Sequence, residues 1–79
     1  IKDMITLEEI SKLINKFYLD SEKEGLATRP NAVLLTEEQF EDLLIEMGIE
    51  EEEDVNIETI LGLDVILAEG LEYPRVIKL

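Results

Sequence analysis

Residues 29–48 read RPNAVLLTEEQFEDLLIEMG, and the fold turns on how this stretch is parsed. Pro30 biases Arg29 away from helix, so residues 29–31 are turn material. Ala32 to Leu35 is a short continuous apolar run, as in a strand covered on both faces or central in a sheet. Thr36-Glu37-Glu38-Gln39 is a capping box, in which the threonine hydroxyl accepts from the amide of residue 39 and the Gln39 side chain reaches back. Leu35 and Phe40 occupy the two positions of a hydrophobic staple. Phe40, Leu43, Leu44 and Met47 form an i, i+3, i+4, i+7 stripe, and Gly48 ends the helix. The segment is a strand that turns sharply into an amphipathic helix.

Toward the N-terminus, Thr6-Leu7-Glu8-Glu9 repeats the capping box, with Ile5 and Ile10 as its staple. Leu7, Ile10, Leu13, Ile14 and Phe17 fall at helical spacing, and Gly25 is placed to stop the helix. A first helix is expected over residues 6–24. Toward the C-terminus, residues 49–56 form an acidic loop, since the adjacent carboxylates of Glu50 to Asp54 repel one another and need solvent. Asn56 to Ile60 suits a helical turn. Leu63 to Ala68 is apolar except for Asp64 and is expected to be a second strand. Gly70 to Pro74 reads as a turn, and Arg75 to Leu79 as a third strand whose Arg75 and Lys78 suit a sheet edge.

The expected order is therefore α-β-α-β-β in the α+β class: a small three-stranded mixed sheet with two helices on one face. The first two strands, joined through a helix, should be parallel with a right-handed crossover. The last two should form a hairpin. The whole of 1–79 reads as a single small domain. With helices on one side only, the sheet's other face is left partly bare, which invites a partner or a second copy.

Composition narrows the chemistry. The chain has 79 residues, and a domain this short buries only about 60% of its unfolded surface. Its 20 acidic and 7 basic residues give a net charge of −13. The cations are scattered from Lys2 to Lys78, which argues against direct nucleic-acid binding and against docking on anionic membrane. Apolar runs stop at four residues, far short of the roughly 20 that span a bilayer. No secretory signal is visible, and the cytoplasm, of a bacterium or an infected host, is the expected compartment. The absence of cysteine and histidine removes thiolate chemistry, disulfides and the commonest general base and metal ligand.

The remaining motifs carry little chemistry. Asp54, Asn56 and Glu58 alternate as calcium ligands do, but Thr59 stands where an EF-hand needs Gly and Val65 where it needs Glu. A catalytic carboxyl needs a dry pocket, and every acid except Asp64 falls in a loop or on a polar helix face. Asp64 either points outward between Leu63 and Val65 or pairs with Arg75 across the hairpin. Ser11 and Ser21 read as helical surface positions with no base to activate them. None of the glycines, at 25, 48, 62 and 70, belongs to a phosphate-binding pattern. Tyr73 is either an exposed contact or a turn residue folded over the sheet edge.

The segments PNAVLLTEEQFEDLLIEMG (30–48) and TILGLDVILAEGL (59–71) resemble a strand-helix-strand unit of HK97-type tailed-phage major capsid proteins. Pro30, Leu35, Phe40, Leu43, Gly62 and Val65 are the matching positions, and together the two segments cover about half the chain. Capsid subunits of that type are several times longer, with an extended loop and a long helix that have no counterpart in these residues. The resemblance therefore implies a phage or prophage origin and a small accessory or structural role. It carries over no binding residues.

The expected function is a non-catalytic protein-interaction module, neither an enzyme nor a cofactor or metal carrier, that binds a protein partner or itself through the sheet. The alternative is an acidic nucleic-acid mimic that blocks a DNA-binding enzyme, suggested by the charge.

Overall fold

The computed structural model describes residues 4–49 and 58–79. The expected acidic loop and its calcium-like alternation fall almost wholly outside the described residues.

Helix α1 spans Leu7–Lys23 and α2 spans Glu37–Glu46. Each begins at its expected threonine: Thr6 Oγ1 accepts from the Glu9 N–H at 3.3 Å, and Thr36 Oγ1 from the Gln39 N–H at 3.1 Å. Both end in the same hydrogen-bond pattern. The Gly25 N–H donates to the Glu22 carbonyl and the Leu26 N–H to that of Ser21, as Gly48 does to Ile45 and Ile49 to Leu44. These paired bonds are a Schellman motif, with glycine in the left-handed position after the cap.

Among the described residues four strands form one sheet: β1 (Ala32–Leu35), β2 (Thr59–Ile60), β3 (Leu63–Leu67) and β4 (Arg75–Ile77). Their order across the sheet is β2-β3-β1-β4, with β1 parallel to β3 and antiparallel to β4. The α+β class and the parallel pair joined through α2 are as expected, and β4 is an edge. Three expectations are corrected. The sheet has four strands, because Thr59–Ile60 is extended and pairs with β3 instead of forming a helical turn. The hairpin is β2-β3, closed by Leu61-Gly62. The expected hairpin between residues 63–68 and 75–79 does not form, since β1 lies between those strands. The loop after β3 carries the chain across β1, so β1 pairs on both sides, and its apolar run reflects that central place.

Alternation along the strands assigns the two faces. Val33, Leu35, Ile60, Leu63 and Val65 share one face with Val76, and there they pack with Ile5, Ile10, Leu43 and Phe40 into the core. Both helices lie on this side. Burial of each large aliphatic side chain in it contributes about 1.5–3 kcal/mol.

Two buried polar side chains fasten the connections. Ser21 is 9% exposed, not a surface position. Its Oγ accepts from the Thr28 N–H at 2.8 Å and lies 2.8 Å from the Tyr18 carbonyl and 2.9 Å from that of Thr28, between which its one proton is shared. Gln39 is 5% exposed: its Oε1 accepts from the Thr36 N–H at 2.9 Å and its Nε2 donates to the Leu71 carbonyl at 3.2 Å. It completes the capping box and pins the loop that leads to β4.

Candidate functional site

The second face of the sheet is built from Ala32 and Leu34 of β1, Asp64 and Ile66 of β3, Thr59 of β2, and Arg75 and Ile77 of β4. Register sets them in two rows. Thr59, Asp64, Ala32 and Ile77 stand side by side, and Ile66, Leu34 and Arg75 form the next row along the strands. Ala32 and Leu34 therefore hold the middle, with Ile66 and Ile77 on one diagonal about them and Asp64 and Arg75 on the other.

None of Leu34, Ile66 or Ile77 belongs to the helix-side core, and all three are half-buried. Ala32 is fully buried among its neighbours, whereas Asp64 and Arg75 are exposed. The Asn31 side chain prolongs the β4 edge by accepting from the Leu79 N–H through Oδ1 at 2.7 Å and donating to its carbonyl through Nδ2 at 3.4 Å. Leu79 follows Ile77 by two residues and is 69% exposed.

Asp64 is thus exposed on the bare face, in keeping with an outward orientation. The alternative, pairing with Arg75 across a hairpin, is excluded by topology. The two residues lie on strands separated by β1 and are offset by two residues along them. At about 4.8 Å per strand and about 3.4 Å per residue, their Cα atoms are roughly 12 Å apart. Among the described residues no ion pair joins them; the one seen is the exposed Lys12–Glu8 pair on α1.

Two surface depressions are found among the described residues. One, of about 480 Å³, lies between the start of α2 and the loop after β3, where Glu37, Glu38, Glu69 and Glu72 gather around Gln39 and Leu71. The other runs along the outer side of α1, past Lys12, Lys16, Leu19 and Lys23. Both are open to solvent. Among the described residues no three acidic side chains converge as a metal site would require. Nor is any helix of the described residues long and apolar enough to cross a membrane. Tyr73 is 59% exposed in the loop before β4, while Pro74 beside it is buried.

The fold and this face define an α+β protein with a two-helix layer on one side of a four-stranded mixed sheet and an apolar surface on the other. A scan against protein-family models found no match, and searches of curated proteins and of solved structures found none either.

Proposed function

We propose that this chain is a non-catalytic protein-interaction module that docks through the sheet face opposite its helices. The observation behind this reading is that apolar face. Leu34, Ile66 and Ile77, with Ala32 beside them on the central strand, span three strands outside the core and are flanked by charged residues, as at the apolar centre and polar rim of a protein interface. The resemblance of residues 30–48 and 59–71 to a capsid-protein unit motivates a phage or prophage accessory role. In that setting a small domain works by occupying a surface, and its partner supplies the area that the short chain lacks.

A photo-crosslinking amino acid placed at position 66 tests the reading in cells. The expected result is a discrete protein adduct from that position and none from position 38, on the opposite side of the molecule. Equal labelling at both positions, or none at 66, rules the docking face out. The net charge supports a second reading, an acidic mimic of nucleic acid. Displacement of DNA from a basic DNA-binding protein, lost on neutralising Glu37, Glu38, Glu69 and Glu72, is its signature.

A further inference from the structure

We infer that the occupant of the bare face is a second copy of this chain, held about a two-fold axis with Asp64 of each copy against Arg75 of the other. The inference rests on the docking reading above and gives it a partner. Its basis is the layout of the β3-β1-β4 part of the face: Asp64 and Arg75 on one diagonal, Ile66 and Ile77 on the other, and Ala32 and Leu34 of the central strand between them.

In a two-fold contact the same patch meets itself, so whatever residue i touches, its equivalent is touched by in return. A patch carrying one sign of charge would repel its own copy. This one does not, because an axis lying in the plane of the interface and exchanging the two corners sets acid over base twice. It also lays the apolar centre on itself. Asp64 and Arg75 are both exposed and joined by no ion pair among the described residues, so neither must give up a partner to take this one. The arginine stem can lie along the apolar surface while its guanidinium forks onto the carboxylate.

The remaining charge works the other way. Two chains of net charge −13 repel, and a face of three short strands buries little area. Both facts predict a weak dimer, with dissociation on the order of micromolar or above. The contact survives only because the face itself is close to neutral, its single acid and single base offsetting one another.

Sedimentation equilibrium at 0.15 M salt, up to about 1 mM chain, on wild type, D64R, R75D, the double variant D64R/R75D and I66K tests the pairing. Circular dichroism confirms that each variant folds. The wild type is expected to dimerise, I66K to be monomeric, and each single charge reversal to weaken dimerisation at least tenfold. The double variant restores the pair in reversed polarity and should return to within about threefold of wild type. D64R is the sharpest arm: it makes the chain less negative, which alone would favour association, so weakening there reports the lost pair. A wild type monomeric throughout, a dimer indifferent to the reversals, or single losses that the double variant does not recover overturns the inference. A monomeric wild type that still gives a heavier, non-self adduct at position 66 overturns only the self-pairing and leaves the docking face standing.

Discussion

Leu61 holds a backbone conformation that its side chain disfavours. It lies at φ 52 and is followed by Gly62 at φ 79, the two positive values that a type I′ turn requires to match the twist of its strands. Glycine meets that need freely, but leucine in the left-handed region costs about 1–2 kcal/mol. Leu61 is 52% exposed, so little packing offsets the cost. Asparagine is the preferred residue at this turn position, and Leu61→Asn is expected to stabilise the protein by about 0.5–1 kcal/mol, raising Tm by a few degrees. An unchanged or lower Tm would mean that the side chain is held by contacts worth as much as the strain. The sequence alone does not reveal that Leu61 shares the conformation of Gly62, because nothing in a leucine signals positive φ.

Gln39 shows how one residue can serve two elements. As the third residue of α2 it closes the capping box, which local sequence predicts. Its donation to the Leu71 carbonyl joins α2 to a loop 32 residues away, which local sequence does not predict. Replacing it by glutamate separates the roles. In Gln39→Glu one carboxylate oxygen still accepts from the Thr36 N–H, while the other meets the Leu71 carbonyl, lone pair against lone pair. Burial and that carbonyl both disfavour the ionised form, so the introduced acid's folded pKa lies above its unfolded value of about 4.3. The variant is therefore penalised at high pH and relieved as pH falls through the folded pKa, where the protonated acid can donate. Urea denaturation should show a deficit of about 2 kcal/mol against wild type at pH 7, narrowing toward pH 5. A deficit that stays constant with pH would show that the Leu71 contact does not matter.

The N-terminus of α1 behaves differently from that of α2. The sequence offers Glu9 as its capping-box acid, yet Glu9 Oε2 is buried with no hydrogen-bond partner among the described residues. Instead Asp42 accepts from the Ile5 N–H at 3.3 Å and Glu46 from the Leu7 N–H at 2.7 Å. Two carboxylates of α2 take over the free amides at the start of α1, where the helix dipole also favours negative charge. The helix starts where expected, with Thr6 capping it locally, but the Ile5 and Leu7 amides are satisfied across the tertiary structure.

For the molecule as a whole, a net charge of −13 on 79 residues is a standing repulsion that the small core must overcome. Salt shortens the range of that repulsion, from about 30 Å at 0.01 M to about 3 Å at 1 M. Raising sodium chloride from 0.02 to 0.5 M is therefore expected to raise Tm by several degrees. A Tm that falls with salt would show that attractive pairs outweigh the net charge.

The sequence by itself determined most of the elements, though not β2. Threonine caps, glycine stops and apolar periodicity act over a few residues, so they are written where they operate, and both helices and the strands at 32 and 63 follow from them. Strand order was decided only in three dimensions. Residues 63–67 and 75–77 are separated by one short loop, and the sequence contains nothing that forbids a hairpin between them. The chain instead places β1 between the two, because a fully apolar strand gains most from neighbours on both edges. The bare face, and the diagonal of Asp64 and Arg75 across it, exist only as a consequence of that order.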